Sequence, residues 1–135
     1  MAKNIALVFG VVYTLVGILG FIGNPIVGGA EGALFPANTL HNVVHLATGL
    51  VLLWAASAGM AGTALKIFGL VYVLVALLGF FAASDGVILG LVDVNTADNW
   101  LHLASAIIFL WAGFMGVKDG TMKTMPPASG MPMGK

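Results

Sequence analysis

The sequence predicts an all-α integral membrane protein, a four-transmembrane-helix bundle built from a duplicated helical hairpin, with the N and C termini cytoplasmic. Three observations predict it. Charged residues make up 7% of the 135 positions and hydrophobic residues 60%, whereas soluble domains carry roughly 25% charge. Four apolar runs each approach the roughly 20 residues that a helix needs to cross a bilayer core about 30 Å thick. The second pair of runs repeats the pattern of the first.

The runs lie at Ile5 to Gly23, Leu40 to Ala58, Ala64 to Ala83 and Ala97 to Val117. They are continuously apolar rather than alternating, so helix is the spanning form that satisfies their backbone. The first is longer than the roughly 7 to 15 residues of a signal-peptide core, and its pattern returns later, so it reads as a membrane helix. Nineteen glycines fit this reading, because small residues let membrane helices approach closely. Lys3, Lys66, Lys118, Lys123 and Lys135 all fall on one side of the spans, and Glu31, Asp85, Asp93 and Asp98 on the other, with Asp119 joining the lysines. The positive-inside rule then puts both termini in the cytoplasm. Trp54 and Trp111, near the inner ends of their helices, suit the headgroup level.

The repeat sets the organisation. Phe9-Gly10-Val11-Val12-Tyr13 is answered by Phe68-Gly69-Leu70-Val71-Tyr72, and Gly20-Phe21 by Gly79-Phe80. The even helices match as well: Asn38, Thr39, Asn42, His45, Leu46 and Trp54 return as Asn95, Thr96, Asn99, His102, Leu103 and Trp111. Residues 1–60 therefore form a first hairpin, 61–117 a second, and 118–135 a flexible Met/Pro-rich cytoplasmic tail. Two spans per unit give both copies one orientation, with a pseudo-two-fold axis along the membrane normal. The connecting loops have diverged: the first is rich in Gly and Pro, and the second carries Asp85 and Asp93. Met122, Met125, Met131 and Met133 of the tail have thioethers that suit Cu(I), but their spacing is unspecific and their side of the membrane unsuited.

On a helix of 3.6 residues per turn, Asn38, His41, Asn42, His45 and Thr48 share a face, as do Asn95, Asp98, Asn99, His102 and Ser105. Polar side chains facing lipid are costly, so both stripes should point into the bundle or at another subunit. Asn38 and Asn95 stand as helix caps, with Asp98 at the favourable dipole end. Asn42 with Asn99, and His45 with His102, can hydrogen-bond across the two-fold and fix helix register. Tyr13 and Tyr72 are placed to reach Thr48 or Ser105. The same atoms can also act as ligands. His41 and His45 at i and i+4, with Asp98 and His102, offer three imidazoles and a carboxylate to zinc or another transition metal. His45 and His102 alone can serve haem or chlorophyll as axial ligands, with Phe81, Trp100 and Phe109 near such a ring as bystanders. The favoured expectation is no cofactor, with hydrogen-bonding glue as the role of the stripe.

GVVYTLVGILGF and GLVYVLVALLGF in the odd helices, with NTLHNVVHLATG and NTADNWLHLASA in the even ones, resemble the paired Asn/His-Leu signatures of a family of small bacterial four-helix membrane proteins, a domain of unknown function common in actinobacteria and cyanobacteria. The likeness covers nearly the whole chain except the tail. It implies the fold and a bacterial inner-membrane location, and it brings no activity with it. Ala106 stands where the first repeat has Gly49.

An enzyme is not expected. The chain has no cysteine, no paired carboxylates in the spans, and no His/Asp partner at recognisable spacing for Ser57, Ser84 or Ser105. Zero net charge without arginine argues against nucleic acid. The expected partners are the lipid bilayer and other membrane protein subunits. The expected role is a structural or accessory subunit of a larger membrane complex, with a bioenergetic complex among the candidates. The first alternative is binding of a metal or tetrapyrrole at the His/Asn faces. A second, a small transporter or channel, lacks deep charges and broken helices.

Overall fold

In the computed structural model, residues 1–29, 32–83 and 85–116 are described. Four helices dominate them: α1 (Ala2–Leu19), α2 (Thr39–Ser57), α3 (Ala61–Phe81) and α4 (Thr96–Met115). Between α1 and α2, β1 (Val27–Gly28) pairs in parallel with β2 (Phe35–Pro36); between α3 and α4, β3 (Val87–Ile88) pairs antiparallel with β4 (Val92–Asp93). The three helices α1, α2 and α3 are long and apolar enough to cross a membrane. The fourth matches them in length, but Asp98, Asn99 and His102 in its first two turns dilute its apolar character. The helices begin close to the expected positions, and α1 ends at Leu19, earlier than the apolar run suggested. The tail, Glu31, Ser84, Val117 and the lysines Lys118, Lys123 and Lys135 lie outside the described residues.

Each hairpin is packed tightly within itself. α1 lies along α2 and α3 along α4, and the contacts between hairpins are far sparser. Glycine explains the difference, since a Cβ at Gly17 would strike the Leu46 backbone and one at Gly49 the Thr14 backbone. Backbones that approach so closely gain dispersion contact along the whole seam. The second hairpin has Ala106 in place of Gly49, and there Gly69 meets Leu110 and Gly113 meets Gly62.

Between hairpins the contact is made by large side chains. Phe109, Leu52 and Leu65 are fully buried, and Phe109 stands edge-on to Phe9 with ring centroids 4.8 Å apart. Leu52 and Phe109 occupy equivalent positions of the two repeats, so the core on the two-fold is asymmetric. The outer helix faces are covered with exposed Val, Leu and Ile, among them Val8, Leu15, Leu70 and Ile107. Trp54 and Trp111 are more than half exposed there. Lys66 reaches back over the Phe114 ring, 4.9 Å from its centroid, which partners the cation within an apolar wall.

Candidate functional site

The site forms at the loop end of the bundle, where α2 and α4 begin. Each of these helices is capped by an asparagine, as the sequence suggested. Asn38 Oδ1 accepts from His41 N at 3.0 Å, and Asn95 Oδ1 accepts from Asp98 N at 2.9 Å. Each cap also crosses to the other repeat: Asn38 Nδ2 donates to Leu91 O, and Asn95 Nδ2 donates to Leu34 O, both at 2.8 Å. Leu34 and Leu91 are equivalent positions. The two-fold is thus stitched by reciprocal side-chain-to-backbone bonds that also fix where each even helix starts.

With the starts fixed, the stripe turns inward. His41, Asn42, His45 and Thr48 on α2, and Asp98, Asn99, His102 and Ser105 on α4, are all buried. His41, His45 and His102 converge, each offering a ring nitrogen within 4.8 Å of the others. His41 Nδ1 lies 2.7 Å from the Asp93 carbonyl oxygen, and its Nε2 lies 3.2 Å from His45 Nε2. A carbonyl can only accept, so the hydrogen of neutral His41 belongs on Nδ1 and its Nε2 presents a lone pair toward the cluster. His45 Nδ1 and His102 Nδ1 are buried with no hydrogen-bond partner, a state that costs about 1–3 kcal/mol per group. The cluster is short of partners, because the His41–His45 contact and the Asp93 carbonyl engage only three of its six ring nitrogens.

An aromatic layer supports the rings. Tyr13 stands edge-on to His45 at 5.2 Å and Tyr72 edge-on to His102 at 5.3 Å, and the two tyrosines meet each other at 5.3 Å. Tyr13 donates to Ser105 Oγ at 3.1 Å and Tyr72 to Thr48 Oγ1 at 3.4 Å. Both tyrosines therefore reach the hydroxyls expected of them, each crossing to the other hairpin.

Three expectations need correction. Asp98 does not join the histidines: its Oδ2 accepts from Asn95 N at 3.1 Å, completing a capping box, so the carboxylate is turned back on the helix start. Asn42 does not bond across the two-fold but donates to Gly20 O at 2.8 Å within its own hairpin. A Cβ at Gly20 would run into Asn42 Oδ1, and one at Gly79 into Asn99 Oδ1, so in each repeat a glycine Cα–H points at the amide oxygen as a weak donor. Finally, Phe81 and Trp100 are exposed and Phe109 is buried in the core below the histidines, so they do not surround a common ring. The sequence reading also missed Asp93, whose carbonyl orients His41. Main-chain partners leave no mark in residue identity.

Three neutral imidazoles suit zinc, copper, nickel or cobalt. Two nitrogens, each about 2.0–2.1 Å from a tetrahedral ion, lie about 3.3 Å apart, which is close to the 3.2 Å between His41 Nε2 and His45 Nε2. The three nitrogens together span up to 4.8 Å, so one imidazole would draw inward to share the ion. A macrocycle clamped between His45 and His102 does not fit the same cluster. The His41 ring centroid stands 4.4 Å from that of His45 and 5.7 Å from that of His102, on the ground such a ring would need.

No curated protein and no solved structure matches the chain. The family model for the domain of unknown function DUF4383 matches residues 3–115, a span that takes in the four helices but for the first residue of α1, both asparagine caps and the three histidines. The chain belongs to the DUF4383 family.

Proposed function

We propose that this is a multi-pass protein of the bacterial inner membrane, with both termini cytoplasmic, that holds one borderline transition-metal ion between its two halves at His41, His45 and His102. The convergence of three buried imidazoles carries the reading. The Nδ1–H of His41 donating to Asp93 O supports it further, because ligating histidines generally donate their other ring N–H to an oxygen that fixes tautomer and orientation. Exposed apolar helix faces and three helices of spanning length support the membrane placement. The positions of Lys3 and Lys66 support the orientation.

The N-terminal ends of α2 and α4 oppose a cation, at about 0.3–1 kcal/mol each. That penalty is small beside the roughly 10–16 kcal/mol available to zinc in structural sites. Three protein ligands leave a fourth coordination position, where the ion can polarise a small molecule. Among the described residues little mass lies outside the helices, which suits an accessory subunit of a larger membrane complex. A second reading keeps that role without the ion, with the histidines and tyrosines acting only as a hydrogen-bonded joint between hairpins; the Tyr13–Ser105 bond favours it.

Cobalt titration of detergent-purified protein separates the two. The metal reading expects saturable visible absorption at one equivalent, absent in the His45→Ala and His102→Ala proteins. No saturable band, or one indifferent to both substitutions, leaves the joint.

A further inference from the structure

Two cavities of about 170 Å³ flank the histidines, one in the seam between α2 and α3 and one between α1 and α4. The duplication relates them. Phe68, Val71, Tyr72 and Val75 wall the first where Phe9, Val12, Tyr13 and Val16 wall the second, and His45 and His102 close both. They differ where the repeats differ, with His41 in the α2/α3 cavity and Asp98 in the other. The cavities exist because glycine zips each hairpin internally, while the seams between hairpins are propped open by the Tyr13, Tyr72 and Phe109 rings.

An apolar cavity of about 150 Å³ is enough for benzene, so each of these has room for one six-membered ring. The α2/α3 cavity also has a polar end. Three imidazoles and the Thr48 and Tyr72 hydroxyls sit there, and the 3.4 Å between those hydroxyls exceeds the ~2.7–2.8 Å of a firm O–H···O bond, leaving both weakly committed. Its other walls are valines, Ile88 and Phe68, with no lysine or carboxylate side chain among them, so without an ion on the histidines a charged ligand would go uncompensated. Val44 and Val71 bring the cavity to the exposed apolar surface.

We infer that the α2/α3 cavity is a binding site for a neutral, single six-membered ring bearing oxygen, of the phenol or quinone-headgroup class, that enters from the apolar flank and turns its oxygen toward the histidines. The ring packs against Phe68, Tyr72 and Val75. This goes beyond the metal centre and does not require it, since the cavity walls hold the ring with or without an ion.

The test is fluorine NMR of 4-fluorophenol titrated into the full-length protein in nanodiscs, with and without chelator. A saturable shift is expected in both conditions, so a protein that proves metal-free still shows it. Val75→Phe fills this cavity and should weaken binding at least tenfold, and Val71→Trp at its mouth should act in the same direction. Val16→Phe, the mirror position in the other cavity, should leave affinity within twofold. Displacement of the probe by a short-prenyl benzoquinone assigns the site to membrane quinones, and retention of the probe assigns it to free phenols. A shift that never saturates, or that Val75→Phe and Val16→Phe weaken equally, overturns the inference.

Discussion

The two hairpins share a plan and part company at the third residue of their even helices. In the first hairpin that residue is His41, whose ring enters the cluster and is held there by a carbonyl from the loop of the second hairpin. In the second it is Asp98, whose carboxylate folds back to complete a capping box. One position, on one helical face, supplies an imidazole to the buried cluster in one copy and a helix cap in the other. Where α2 lacks the carboxylate of a capping box, Asn38 gains a partner from across the two-fold that Asn95 does not have, its Nδ2 donating to Asp93 Oδ1 at 3.2 Å. The duplication thus provides a symmetric frame, and a single divergence within it makes the site one-sided.

The largest expected effect breaks this contrast at the site itself. His45→Ala and His102→Ala should abolish stoichiometric metal binding. His41→Ala should weaken it by more than the roughly 10–100-fold that losing an outer hydrogen-bond partner costs. Asp98→Ala should leave it intact, and isothermal titration with zinc would read all four. An Asp98→Ala protein that binds as poorly as His41→Ala would erase the distinction between the copies.

Next in size is a test of what the copies share. Gly20→Val and Gly79→Val each drive a side chain into the Asn42 or Asn99 amide, and overpacking of this kind costs about 1–3 kcal/mol or more. Thermal unfolding in detergent should show matched losses, and a loss confined to one hairpin would mean the two glycine–asparagine contacts are not equivalent.

Smaller still are the caps. Asn38→Ala and Asn95→Ala should each cost about 1–2 kcal/mol, and Asp98→Ala less than either, because Asn95 still caps α4. A larger loss for Asp98→Ala than for Asn95→Ala would contradict the cap assignment. Smallest is a gain. Leu89 holds φ near 51° in the turn closed by Leu91 N and Ile88 O, and an L-residue pays about 1–2 kcal/mol there. Its side chain is 70% exposed, so Leu89→Asn should raise the unfolding temperature slightly; an unchanged or lower value would show that Leu89 contributes contacts that outweigh its backbone cost.

Much of this was legible in the sequence, for identifiable reasons. Apolar run length and the repeat located four helices, and the 3.6-residue period put His41, His45, Asp98 and His102 on inward faces. Asn38 and Asn95 announced helix starts because capping depends on residue type. What stayed hidden depends on three-dimensional choice. Nothing in the spacing tells whether Asp98 points at a metal or at its own helix start, since both serve a carboxylate. The pairing of β1 with β2 in parallel and β3 with β4 antiparallel arises in loops whose sequences have diverged. The Asp93 carbonyl is a main-chain group, invisible to any pattern of side chains.

The most direct measurement is elemental analysis combined with X-ray absorption on protein purified in mild detergent from its native membrane. One transition-metal ion per chain, with nitrogen ligands at about 2.0–2.1 Å, retained in Asp98→Ala and lost in His45→Ala and His102→Ala, is the result predicted here. A metal-free protein, or a metal signal that survives both histidine substitutions, would contradict the three-histidine centre.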